Sequence, residues 1–197
     1  CFYVQSLDFP AGPNMFSLSV LPDGSEPLLF DILNPILDNV TLIKDEASNA
    51  IYQDQSGFWA DNIGAWESSE GYILYINTNQ TLELTTENKI DLPLSIDLDF
   101  GWNIISFPIQ SDDSVDIEEV LSELIGDNEL SAVFSETGAI YVPGSLTADG
   151  VPLNSIVAMQ KGEGYYVNVS TDTQLTIDEP DNSELFSDTN DEDQISN

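Results

Sequence analysis

Histidine and arginine are absent from this chain, and its only basic side chains are Lys44, Lys89 and Lys161. Without histidine, a Ser-His-Asp triad, a Cys-His pair and a His-ligated zinc are excluded. Cys1 is the one cysteine. No disulfide can form within the chain, and thiolate zinc and iron–sulfur sites lack their ligands. There is no Gly-rich phosphate loop and no dinucleotide fingerprint. No apolar run approaches the roughly 20 residues a helix needs to cross a bilayer. With so few cations, the 36 Asp and Glu leave a formal charge of −33. That field repels phosphate backbones and anionic headgroups, so nucleic acid is excluded as a partner and direct membrane insertion is not expected.

What remains is ample material for a fold. Hydrophobic residues are 41% of the 197 and aromatics 10%, enough to build a core. The acidic surface keeps such a chain soluble and strains its compact state, a strain that salt or divalent cations relieve. Carboxylate chemistry is the one catalytic route left open. With this many acids a chance pair is certain, so the chain is not expected to be an enzyme. Cys1 fits a fragment end, a lipid-bearing cysteine after lipoprotein processing, or an artefact of expression. The following Phe2, Tyr3 and Val4 read as the start of a strand.

The sequence repeats itself. Gly12-Pro13-Asn14-Met15-Phe16-Ser17 aligns with Gly101-Trp102-Asn103-Ile104-Ile105-Ser106, and Leu7-Asp8-Phe9 echoes Leu98-Asp99-Phe100. Ala50-Ile51-Tyr52 matches Ala139-Ile140-Tyr141, and Glu70-Gly71-Tyr72 matches Glu163-Gly164-Tyr165. Thr81-Leu82-Glu83-Leu84 matches Gln174-Leu175-Thr176-Ile177. Several matches in one order point to tandem duplication, with a small insertion around 147–152 in the second copy.

The expected fold is mainly β (α+β), as two tandem β-rich repeats, each with one short helix on a small sheet or sandwich. Repeat one spans 1–95 with its helix near 26–37, capped by Ser25, with Pro27 in the first turn and Pro35 shortening it. Repeat two spans 96–180 with its helix near 116–125. There Ile117, Val120, Leu121, Leu124 and Ile125 form one apolar stripe. The runs ending at Ile76 and Val169 each pass through a polar turn into another strand, as a hairpin would. Residues 85–95 link the repeats, and 181–197 read as an acidic linker or tail.

Ile43-Lys44-Asp45-Glu46, Asn62-Ile63-Gly64, Trp66, Glu70-Gly71-Tyr72 and the Gly-Trp-Asn-x-Ile-Ser opening at Gly101 together resemble a repeat of large secreted proteins of Bacteroidota. Those repeats join a Gly-Trp-Asn opening, a Lys-Asp turn and a Glu-Gly-Tyr strand, and often accompany a type IX secretion sorting domain. Pro13 departs from the usual Trp, copy two lacks the Lys-Asp pair, and neither copy ends in the usual Gly. The resemblance implies an extracellular or cell-surface location and tandem display, and carries no catalytic residue with it.

Two kinds of site are expected from the residues. Aromatics with flat apolar faces suit pyranose rings. Phe58, Trp59, Trp66, Tyr72, Tyr75, Trp102, Tyr165 and Tyr166 offer such faces; Phe58 and Trp59, in a loop that differs between copies, and Trp102, at the head of the second repeat, are the leading candidates for a glycan. Trp66, Tyr72 and Tyr165 fall at matched positions and are expected in the core. Asp112, Asp113 and Asp116 offer carboxylates to Ca²⁺, as do Asp97 with Asp99 and Asp178, Glu179 with Asp181. Helix capping and a solvated linker compete with that reading, and none of these runs matches an EF-hand loop. The expected role is a non-catalytic structural or adhesive repeat module whose partners are neighbouring domains, copies of itself or surface glycans; the alternative is a Ca²⁺-assisted carbohydrate-binding module of a polysaccharide-degrading system. Self-assembly by strand exchange, with residues 1–9 as the donated strand, is a third reading.

Overall fold

The computed structural model describes residues 1–110, 114–146, 148–152 and 154–179. Asp112, Asp113 and the acidic segment 181–197 lie outside the described residues. The architecture is mainly β with a few short helices. The first repeat supplies β1 (Tyr3–Phe9), β2 (Gly12–Phe16), α1 (Leu29–Ile32), a 3-10 turn (Asn34–Asn39), β3 (Val40–Lys44), β4 (Ala50–Gln53), β5 (Trp59–Asp61), β6 (Tyr72–Ile76) and β7 (Gln80–Thr86). The second supplies β8 (Leu94–Leu98), β9 (Gly101–Ser106), β10 (Val115–Asp116), α2 (Ile117–Val120), α3 (Ser122–Gly126), β11 (Leu130–Ser135), β12 (Ile140–Tyr141), β13 (Ala158–Met159), β14 (Gly164–Val169) and β15 (Thr173–Ile177).

The two repeats share one antiparallel plan. The main sheets run β2-β6-β3-β4-β5 and β9-β14-β11-β12. In each repeat the first and last strands pair separately as a ribbon, β1 with β7 and β8 with β15. The expected hairpins after Ile76 and Val169 therefore do not form. The chain turns out of the main sheet and joins the ribbon instead. Alternation explains why: Tyr72, Leu74 and Ile76 point to one face of β6 and are buried. Both edges of β6 are already taken by β2 and β3, so the next strand has no place beside it, and the ribbon carrying Leu7, Phe9 and Leu82 covers its buried face.

Strand register corrects the letter matching. Leu7 stands opposite Leu82 as Ile96 stands opposite Leu175, so Leu7 and Phe9 are equivalent to Ile96 and Leu98. The echo of Leu7-Asp8-Phe9 in Leu98-Asp99-Phe100 is thus two residues out, and Phe100 is 72% exposed where Phe9 is buried. Ile51 faces Ile43 as Tyr141 faces Val133, so Ile51 matches Tyr141, not Ile140. Both β3 and β11 carry a register shift at the same place, between Val40 and Leu42 and between Leu130 and Ala132. The turns that follow are the same turn: Ser48 (φ 66°) and Gly138 (φ 78°) sit at one left-handed position. The second copy has gained one residue before β11 and three between Tyr141 and Gly164, so its extra length is split and not confined to 147–152.

The helices bury what their patterns promised and differ at the ends. Leu28 occupies the N-cap of α1 with no side-chain bond, so Ser25 does not cap it. Pro35 admits only the 3-10 turn beyond Leu33. In the second repeat the Asp116 carboxylate caps α2 by accepting from the Glu118 N–H at 2.7 Å. A break at Leu121 then separates α2 from α3. Ile117, Val120, Leu121 and Leu124 are buried and Ile125 packs at the margin. Each repeat has its own apolar core, one drawn from Leu7 to Ile90 and the other from Ile96 to Ile177. Trp66, Tyr72 and Tyr165 are in them.

Candidate functional site

β2 and β9 are edge strands, and an open edge leaves a row of unpaired N–H groups. Each edge is closed by the other repeat. Pro13 has no N–H to satisfy. The Met15 N–H donates to Glu136 Oε2 at 2.8 Å, and the Ser17 N–H to the Gly162 carbonyl at 3.0 Å. In return, the Gly71 N–H donates to the Ile104 carbonyl and the Ser106 N–H to the Ser69 carbonyl, each at 3.1 Å, and the Glu46 carboxylate stands beside the Ile104 backbone. Single bridges join Phe16 to Glu163 and Glu70 to Ile105. The two glycines of the Glu-Gly-Tyr motifs allow this approach. A Cβ on Gly71 would lie 2.7 Å from the Ile105 carbonyl oxygen, and one on Gly164 would lie 2.8 Å from Met15 Cγ. The opening strand of each repeat is thus seated on the Glu-Gly-Tyr turn of the other, as across an isologous interface.

Carboxylates line this seam. Burial pushes Glu46 up to about 7, with Glu70, Asp99 and Asp45 adding repulsion and the Ile104 backbone opposing it. Glu70 is raised by burial and by Asp45, and Glu136 by burial and by Glu163. The tyrosines of the same motifs brace the turns. The Tyr72 hydroxyl accepts from the Glu67 N–H at 2.8 Å, and the Tyr165 hydroxyl accepts from the Gln160 N–H at 2.8 Å while donating to Glu163. Burial raises both tyrosines well above their ordinary range. An open groove of about 790 Å³ runs beside the seam, with Phe9, Met15, Glu136 and Glu163 among its walls. Among the described residues, no three acidic, histidine or cysteine side chains come together to hold a metal ion.

The expected site residues fall in separate places. Phe58 is 73% exposed at the end of a turn organised by Asp54, whose carboxylate accepts from the Ser56 and Phe58 N–H groups at 2.7 and 3.0 Å. Trp59 opens β5 and packs edge-on against Phe30, with centroids 5.7 Å apart, at the margin of the first core. Trp102 lies on the other sheet, 50% exposed. Asp116 is occupied as the cap of α2, and Asp112 and Asp113 lie outside the described residues.

Trp102 has company that the sequence alone did not reveal. Its ring lies 5.2 Å from Phe134 and 6.3 Å from Tyr166, which meets it at 89°. Phe134 and Tyr166 are directly opposite one another on β11 and β14, and Asn168 is directly opposite Trp102. The four strands β9, β11, β12 and β14 contain no charged residue. The signal for this cluster was the register of the duplicate, which becomes legible only once the strands are paired.

The start of β1, the link between β7 and β8 and the end of β15 lie near one another. Lys89, between β7 and β8, makes an ion pair with Glu179, just past β15, and lies within electrostatic reach of Tyr3 at the start of β1. Among the described residues, no helix is long and apolar enough to cross a membrane. No protein-family model, curated protein or solved structure matches this chain.

Proposed function

We propose that this chain is a non-catalytic structural and adhesive module of a secreted or cell-surface protein, acting as one interlocked pair of repeats. The observation that carries this reading is the reciprocal closure of β2 and β9, with the Ser17 N–H on the Gly162 carbonyl and the Ser106 N–H on the Ser69 carbonyl. An isologous contact satisfies both partners and stops there, so it builds a closed block and does not propagate into a fibre. β1 is likewise occupied within its own chain by β7, which argues for display over strand exchange. The acidic, cysteine-poor composition and the resemblance of the doubled motif to secreted Bacteroidota repeats support the surface location. Its partners are then neighbouring domains of the parent and whatever the outward faces bind.

An antibody raised against the folded chain tests the location. It is expected to label intact cells of the source organism, and labelling only after permeabilisation would contradict the reading.

A further inference from the structure

We propose that the aromatic face formed by Trp102, Tyr166 and Phe134, with the Asn168 amide beside it, is a binding site for the pyranose rings of an uncharged glycan. This deepens the adhesive reading by naming its ligand class.

The duplication supplies an internal control. Strand register places Pro13 where Trp102 stands, Ile73 where Tyr166 stands and Lys44 where Phe134 stands. The first repeat builds the same sheet, with the same bulge in β3, from those three residues. Packing therefore does not require aromatic rings at these positions, and the second repeat has three. They are not core residues either: Trp102 is half exposed, while Tyr166 and Phe134 are partly open on the face of the sheet that turns away from the buried Tyr165 and Val167.

The chemistry of the face selects the ligand. In a chain with 36 acidic residues, these four strands carry no charge of either sign. A cationic ligand finds no carboxylate on them, and an anionic one is repelled by the molecule as a whole. A sugar ring offers an apolar face of C–H groups for stacking and a rim of hydroxyls. The Asn168 amide, directly across from Trp102, supplies both a donor and acceptors at that rim. Tyr75 of the first repeat lies within electrostatic reach of Tyr166 and is 36% exposed.

The test is titration of the whole chain with cellohexaose, xylohexaose and mannohexaose, followed by tryptophan fluorescence and calorimetry. Hexagalacturonate and hexalysine serve as charged probes. At least one neutral hexaose is expected to bind and perturb tryptophan emission. Trp102→Ala should weaken it about tenfold or more. Tyr166→Ile installs the residue the first repeat uses, so it keeps the fold, and should weaken binding in the same direction. Tyr52→Ala, an exposed tyrosine on the first repeat, should leave affinity unchanged. Binding of no neutral hexaose, equal binding by Trp102→Ala and wild type, preference for hexagalacturonate, or hexalysine binding that Trp102→Ala removes would overturn the proposal. So would a wild-type dimer, seen by light scattering, that Trp102→Ala dissolves, because the face would then be a self-contact. None of these results bears on antibody labelling of cells, so failure here leaves the surface reading standing.

Discussion

Asn14 and Asn103 close the same turn in the two repeats, and a single neighbour separates their energetics. The Asn103 amide donates to the Asp99 carbonyl at 2.9 Å, and its Oδ1 accepts from the Asp99 N–H at 2.9 Å. Asn14 donates to the Pro10 carbonyl at 2.9 Å, but proline has no N–H, and Asn14 Oδ1 is left buried without a partner. A lost partner and an acceptor that never had one are different deletions. Asn103→Ala is expected to lower stability by about 2 kcal/mol, and Asn14→Ala by about 1 kcal/mol less, because it also removes an unsatisfied acceptor. Urea midpoints of the two variants compare them directly. The asparagines were legible in the sequence as the fixed letter between Pro13 or Trp102 and the apolar residues that follow. Their role was not, since the partners are backbone groups of a turn whose equivalence the letters misplaced.

At the scale of elements, the strands were readable from alternation and the helices from their apolar stripes, whereas partnership was not. Nothing local in Gln80–Thr86 says that it pairs with Tyr3–Phe9 at the start of the repeat instead of with the strand just before it. That choice is made by β6, whose two edges are taken and whose core face needs a cover. The edge caps have the same non-local character. Glu46 and Glu136 follow β3 and β11 at equivalent places; Glu136 accepts from the Met15 N–H of the opposite repeat, and Glu46 stands beside the Ile104 backbone. A carboxylate that ionises near pH 7 in the fold and near 4.5 when unfolded favours folding below the lower value. That contribution fades as pH rises through the higher one. Thermal unfolding is therefore expected to shift to lower temperature as pH is raised from about 5 to about 8. Glu46→Gln cannot ionise. It should be more stable than wild type by about 1 kcal/mol at the alkaline end, after discounting for the solvent that reaches it. Its pH profile should be flatter, and an unchanged profile would show that Glu46 does not carry the effect.

For the molecule as a whole, the sequence foretold a β-rich body with a few short helices. The duplication foretold two similar units. What it could not convey is that the units lock together. The surfaces that meet are the motifs themselves, Gly-x-Asn-x-x-Ser on one side and Glu-Gly-Tyr on the other, used twice. Motifs that look like markers of a single repeat are the contact between repeats, and their glycines lack a Cβ because the other chain segment passes there. Two cores joined through a backbone seam should open together, although each has its own apolar cluster.

Native-state hydrogen exchange across a urea series tests that claim most directly, read at the amides of Met15, Ser17, Ile104 and Ser106. These groups lie on sheet edges and point away from their own sheets. The account predicts that they exchange only through the same global opening as Ile43 and Val133 in the two cores. Fast exchange at the four edge amides, while both cores stay protected, would mean that the repeats are separate units that merely touch.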